Sequence, residues 1–253
     1  MWKPEFLYKL YERGLTRQIR HSKVPRHVGI ILDGNRRWAK ELGISTATGH
    51  RTGANHVFEV LEWCSEIRIK IVTLWMLSTD NLGRDSGELT ELLKIISRLV
   101  DELAASKRWK LHVIGDLSLL PQDIADHINE AVCSTQDYDG MTVNVAIGYG
   151  GRQEITQAVR DYLRERAAAG CTLEQVAGEV AISDITEHMY TKGQPDPDLI
   201  IRTSGEQRLS GFMLWQTVHT EFYFCDAYWP AFRRTDFLRA IRSYSQRERR
   251  MGK

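Results

Sequence analysis

The chain has 253 residues, 42% of them hydrophobic and 26% charged, with a formal net charge of +1. That length and composition suit an ordinary globular enzyme with a substantial core, in one large domain or two small ones. The balanced charge gives no global basicity for nucleic acid, no segment approaches the ~20 apolar residues of a membrane span, and the N-terminus has no long apolar core.

Taken in order, Trp2, Phe6, Leu7, Leu10, Tyr11 and Leu15 fall at helical spacing among Lys and Arg. They predict a helix docked on the domain. A transient membrane-surface or partner contact is the alternative, disfavoured because the apolar stripe is short. We expect residues 1–24 to form a helical extension and residues 25–253 a single domain. Val28 to Leu32 is a continuous apolar run of strand length, the pattern of a strand buried on both faces. It stops at Asp33-Gly34-Asn35, and Arg36 to Leu42 then reads as a helix ended by Gly43. A carboxylate at the carboxyl end of a buried strand, beside the free N–H groups of a helix start, suits a diphosphate carried with Mg²⁺. By themselves, Asp33 and Asn35 can equally do no more than shape the turn. Gly49-His50-Arg51-Thr52-Gly53 opens a helix whose one face carries Val57, Val60, Leu61 and Cys64. His50 there can donate to a phosphate, although a lone histidine is more often a plain surface or core residue.

Ile69 to Leu77 is a second apolar run, ending in Ser78-Thr79-Asp80-Asn81. Ligands gather at such strand ends in open α/β sheets. Arg84 follows, then Asp85 and Glu88, spaced as a capping box for a helix striped with Leu89, Leu92, Leu93, Ile96, Leu99, Val100 and Leu103. That stripe suits a core face or the wall of an apolar cavity. Trp109 to Gly115 and Met141 to Ile147 read as further strands, the latter closed by Tyr149-Gly150-Gly151-Arg152, whose glycines serve close packing or anion binding. Leu199 to Ile201 is a short strand, and Arg202, Ser204, Arg208 and Ser210 follow it in one loop. Arginine forks and hydroxyls rooted in a buried strand can clamp a diphosphate, whereas the plain reading is a solvated loop. Glu221, just before the expected strand Phe222 to Cys225, is a plausible second carboxylate at the metal. Cys64, Cys133, Cys171 and Cys225 show no paired spacing, so neither a zinc site nor a disulfide framework is implied, and a reducing, cytoplasmic setting is expected. The sequences of P-loops, serine-hydrolase elbows and HExxH zinc proteases do not occur.

The segments DGNRRWAK, GHRTG, LSTDN, YGGR, IRTSGEQRLSGFMLWQ, TEFYF and RERRMG, in this order, together resemble the cis-prenyltransferases, the Z-isoprenyl or undecaprenyl diphosphate synthases. The resemblance covers roughly residues 25–252. It implies an α/β fold with a mainly parallel six-stranded sheet flanked by helices around an apolar tunnel, assembled as a homodimer. It implies Mg²⁺-dependent condensation of isopentenyl diphosphate with an allylic diphosphate. Asp33 would serve Mg²⁺ and ionisation, with Glu221 also at the metal. Gly34, Asn35, Arg36, Arg37, Trp38 and His50 would surround the allylic diphosphate. Ser78, Thr79, Asp80, Asn81 and Arg84 would border the reacting centre. The Asn81 amide is a poor base, so its expected role is to orient water or a diphosphate oxygen. Arg202, Arg208, Leu209 and Ser210 would take the isopentenyl diphosphate, and Arg250 would reach a neighbouring subunit's site. Three departures bear on the allylic substrate: Arg36 stands where long-chain members usually have Gly, Thr46 where they have Arg, and Leu82 where they have Trp. The likeness is strongest to short-chain actinobacterial enzymes making Z,E-farnesyl diphosphate from geranyl diphosphate. Met76 or Leu77, just ahead of Ser78, would then end chain growth, since long-chain relatives carry a small residue at Met76. A long-chain carrier-lipid synthase and a non-catalytic partner subunit are the rival readings. The retained Asp33 and arginine clamp disfavour the latter.

Overall fold

In the computed structural model, which describes residues 4–20 and 22–247, each strand ends where an apolar run meets turn residues. Helix α1 (Pro4–Ile19) is followed by β1 (His27–Ile31), the short helix α2 (Asn35–Glu41), the long helix α3 (Thr46–Glu66) and β2 (Ile71–Ser78). Then come α4 (Ser86–Ala105), β3 (Lys110–Ile114), α5 (Gln122–Cys133), β4 (Thr142–Tyr149) and α6 (Gly151–Ala168). The short α7 (Leu173–Glu179) and α8 (Ile182–Thr186) follow, and β5 (Leu199–Arg202), β6 (Glu221–Phe224) and α9 (Arg234–Gln246) complete the order.

The strands form one all-parallel sheet, β3-β4-β2-β1-β5-β6. The six-stranded sheet expected from the sequence is present, and it is parallel throughout. Ile31 is in register with Trp75 on one side and Arg202 on the other, so the carboxyl ends of β1, β2 and β5 lie side by side. This is the change of winding direction at which open α/β sheets bind ligands.

Val28 and Ile30 point into the larger core with residues of α3, α4, α5 and α9, while Ile31 packs on the other face with Tyr149, Ile200, Phe212 and Met213. Each such side chain fully buried contributes about 1.5–3 kcal/mol. Gly29 has no room for more: a Cβ there would meet Ile200 Cδ1 at 2.3 Å. On the same face His27, 0% exposed, hydrogen-bonds through Nε2 with Thr73 Oγ1 at 2.8 Å. Asn144 Nδ2 donates to that hydroxyl at 2.9 Å and to Gln194 Oε1 at 2.7 Å, a polar ladder across three strands.

Helix α4 is capped by Asp85, whose Oδ1 accepts from the Gly87 N–H at 3.0 Å and the Glu88 N–H at 3.4 Å. The expected capping box stays open, because the Glu88 carboxylate turns to Arg84 instead. Helix α1 lies against α9 through buried Leu15 and Ile19, with Arg239 over the Tyr11 ring at 5.2 Å. Among the described residues, no helix is long and apolar enough to cross a membrane.

Candidate active site

A cavity of about 850 Å³ opens where β1, β2 and β5 end. Its polar wall carries Asp33, Asn35, Arg36, Arg37, Lys40, His50, Ser78, Asp80, Asn81, Arg84, Arg202 and Ser210, and its apolar wall includes Val57, Met76, Leu92, Ile95, Ile96, Leu99 and Trp229.

Asp33 lies two residues past the end of β1, and its backbone is fixed by Thr203, whose hydroxyl accepts from the Asp33 N–H at 3.0 Å and donates to the Asp33 carbonyl at 2.7 Å. Gly34, at φ 106°, makes the turn into α2. Asp33 Oδ2 accepts from Arg202 Nη2 at 2.8 Å, and Arg37 Nη2 approaches Oδ1 at 3.4 Å. Burial pushes the Asp33 carboxyl up, but the Arg202 hydrogen bond and charge, with Arg37 behind them, outweigh it and hold the group below the usual carboxylate range. Arg202 is only 4% exposed and also donates to Ser210 Oγ at 2.8 Å and to the Arg208 carbonyl. Arg37 donates to Ser204 Oγ at 2.7 Å and to Glu206 Oε1 at 3.1 Å. Ser204 and Ser210 both hold positive φ, 79° and 51°, a strained backbone of the kind that clusters at functional loops.

A second group forms around Glu88. Its Oε1 accepts from Arg84 Nη1 at 3.1 Å, with Arg36 Nε at 3.6 Å and His50 Nε2 at 3.8 Å. Burial, assisted by the Arg84 charge, pushes the His50 imidazole down to about 4, so it is neutral at pH 7 with one N–H to donate. Arg84 Nη2 donates to Asn81 Oδ1 at 2.9 Å, leaving the Asn81 N–H₂ available to a ligand oxygen.

An adjoining recess of about 580 Å³ shares Trp75, Ser78, Asp80 and Ser210 with the cavity and adds Thr79, Tyr149 and Gly150 to Gln153. The two glycines here serve packing. A Cβ on Gly150 would meet Thr79 Oγ1 at 2.6 Å, and one on Gly151 would meet the Gly211 carbonyl at 2.6 Å. The loop carrying Arg208 and Ser210 is tied down behind them. The Met213 N–H donates to the Tyr149 hydroxyl at 3.1 Å, which donates to buried Glu154 at 2.5 Å.

Several expected residues stand elsewhere. Trp38, Leu77, Arg208 and Leu209 do not line the cavity; Leu77 is buried in the larger core and Leu209 packs beside Phe212. Glu221 is the first residue of β6, in register with Leu199 at the amino edge of the sheet, and pairs with Arg247. It is therefore not beside Asp33 within this chain. Arg250 lies outside the described residues. Lys40, Ile95 and Trp229 line the cavity without having been singled out. Lys40 was legible as one helical turn beyond Arg36, whereas nothing local marked Trp229.

For a metal, the described residues contain no cluster of three or more His, Cys, Asp or Glu side chains. Asp33 and Asp80 are the carboxylates on the cavity wall. Magnesium accepts such a site, since it binds through one or two carboxylates and takes its remaining oxygens from water and substrate phosphates. Buried Asn35 Oδ1 and Arg202 Nε lack hydrogen-bond partners, consistent with an edge built for a polar ligand.

Residues 31–252 match the family model described as "Putative undecaprenyl diphosphate synthase". The chain is 56% identical over 247 residues to a (2Z,6E)-farnesyl diphosphate synthase of Thermobifida fusca, covering 97% of each. It is 48% identical to a short-chain Z-isoprenyl diphosphate synthase of Mycobacterium bovis, covering 98% of this chain and 97% of that one. Among solved structures, lavandulyl diphosphate synthase from Lavandula x intermedia, in complex with dimethylallyl diphosphate, matches with a TM-score of 0.82 at 36% identity, covering 89% of this chain and 97% of that one.

Proposed function

This chain belongs to the cis-prenyltransferase family, and from that premise we propose that it condenses isopentenyl diphosphate with geranyl diphosphate to give (2Z,6E)-farnesyl diphosphate, with Mg²⁺ as cofactor. The observation that carries the reading is the shape of the cavity, a cationic wall at the strand ends facing an apolar wall that includes Met76. The short-chain names of close relatives support the same product.

In this mechanism Arg36, Arg37 and His50 hold the allylic diphosphate, Arg202 and Ser210 hold the isopentenyl diphosphate beside it, and the apolar wall receives the prenyl tail. Asp33 is the residue that would hold Mg²⁺, which when bound would supply charge neutralisation for the leaving diphosphate. The isopentenyl double bond attacks the allylic carbon, the allylic C–O bond breaks, and a proton is lost to form the Z double bond. Asn81 cannot act as a base. Its free N–H₂ orients a diphosphate oxygen, and that oxygen takes the proton.

We also propose a homodimer in which each site is completed by its partner, in the cytoplasm. Supporting this, α9 ends beside Glu221 at the amino edge, and Val28 there is five residues, about 17 Å, short of Asp33. Residues 25–253 are taken as the catalytic domain. The test is incubation with labelled isopentenyl diphosphate, Mg²⁺ and either geranyl or farnesyl diphosphate, with products sized by chromatography. A single addition to geranyl diphosphate is expected. Long polyprenyl products would make it a carrier-lipid synthase, and no product from folded protein would make it a non-catalytic subunit.

A further inference from the structure

Of Arg202, Arg208 and Ser210, only Arg208 is missing from the cavity wall. Its side chain is 63% exposed and ion-paired with Glu206 Oε2, while Glu206 Oε1 accepts from Arg37 Nη1 at 3.1 Å. One carboxylate therefore grips a cation from α2 and a cation from the loop after β5. The loop backbone is fixed: the Ser204 N–H donates to the Ala227 carbonyl at 2.8 Å, the Gly205 N–H to the Cys225 carbonyl at 2.9 Å, and Arg202 Nη1 to the Arg208 carbonyl. With its backbone held there, Arg208 can change partners only through its side chain.

We propose that Glu206 is a latch. It parks Arg208 outside the cavity, and a substrate diphosphate binds by displacing the Glu206 carboxylate from Arg208 and Arg37. This rests on the diphosphate chemistry proposed above and deepens it. A diphosphate carries more charge than one carboxylate and offers the same forked acceptor geometry, so it wins the exchange. The Arg208 side of the ion pair is solvent-exposed, so its grip is weak enough to be released at each turnover. Glu206 acts through the arginines and is a positioning residue.

The test uses full-length protein and inorganic diphosphate with Mg²⁺, titrated by calorimetry into wild type, Glu206→Gln, Arg208→Ala and the double variant. Glu206→Gln keeps the side chain's shape. It should bind diphosphate about three- to tenfold more tightly, an exposed ion pair's worth of competition removed. In the Arg208→Ala background the same change should gain clearly less affinity, because only the Arg37 contact remains to be released. Steady-state kinetics should show a lower KM for isopentenyl diphosphate in Glu206→Gln without a rise in kcat. Unchanged or weaker binding overturns the latch. An equal gain in both backgrounds overturns it too, since that is a through-space charge effect. If wild type itself binds no diphosphate, the proposed chemistry fails with it, whereas normal wild-type binding without a Glu206 effect removes the latch alone.

Discussion

Asp33 shares its two oxygens between Arg202 and Arg37, and that sharing decides what a substitution there does. Arg202 is nearly fully buried, so truncating Asp33 to Ala would leave an unpaired cation in the interior as well as remove the proposed metal ligand. Asp33→Asn is the cleaner variant. It should lower turnover with Mg²⁺ by about 10²–10³-fold, the scale of losing one preorganised electrostatic contact, with the circular dichroism spectrum kept. Undiminished turnover would remove Asp33 from the chemistry. His27 and His50 make a separate prediction for pH. Burial lowers both to about 4, His27 against the Pro195 carbonyl and the Asp198 charge, which pull the other way. In the unfolded chain both take up protons near 6.5, so between pH 6.5 and 4 the unfolded state binds more protons and stability falls with pH. For His27 the full loss across that window is about 3 kcal/mol. Urea midpoints at pH 7, 5.5 and 4.5 should drop, and His27→Gln should flatten the drop. Asp33, whose folded value is lowered, loses its contribution in the same direction but below the usual carboxylate range.

At the scale of elements, β2 carries the feature that shapes the cavity. Its register with β4 skips at Met76: Trp75 is opposite Ala146, and Leu77 is opposite Ile147. Such a bulge re-aims a side chain, and here the consecutive residues Trp75 and Met76 both line the cavity while Leu77 enters the core. A nearly continuous apolar run offers little alternation for a bulge to interrupt, so the pattern alone did not say which of Met76 and Leu77 faces the cavity; the likeness to long-chain relatives favoured Met76, and the pairing register agrees. Met76→Ala with geranyl diphosphate as primer should give longer products, since each further CH₂ buried gains about 0.8 kcal/mol once the wall recedes. An unchanged product would move the stop to α4, where Ile95, Ile96 and Leu99 face the same space. The contact of α2 with α3 is equally tight. A Cβ on Gly53 would lie 2.1 Å from Asn35 Oδ1 and 2.9 Å from Trp229 Cδ1. Gly53→Ala should cost about 1–3 kcal/mol by overpacking, read as a lower melting temperature with weaker allylic substrate binding. Gly14→Ala in α1 meets nothing within 4 Å and should instead stabilise by about 0.5–1 kcal/mol.

Over the whole molecule, what the chain disclosed in advance was where strands end. Val28 to Leu32 and the largely apolar Ile69 to Leu77 run into Asp33 and Ser78, and those side chains do share one cavity. Hidden from view were placements set by strand order. Glu221 is close in sequence to Ser210, yet a parallel strand must start at the far edge of the sheet, so the chain crosses the whole sheet between them. Arg208 was legible as a cation near the site but not as one turned to Glu206, because a two-residue ion pair leaves no trace in spacing. The dimer reading is checked by mixing inactive Asp33→Asn and Arg250→Ala proteins under subunit exchange. Heterodimers that place both lesions in one site leave the other intact, so about a quarter of wild-type activity should return; no recovery would confine each site to its own chain. Finally, the central position of β1 has a consequence in time. Asp33 and Arg202 are 169 residues apart. At about 5–20 residues per second of synthesis, β1 waits on the order of ten to thirty seconds for β5. Through that interval the nascent chain presents an apolar strand with one bare edge, open to pairing with any neighbouring polypeptide. The strand that anchors the catalytic edge in the finished protein is thus an aggregation-prone stretch while being made.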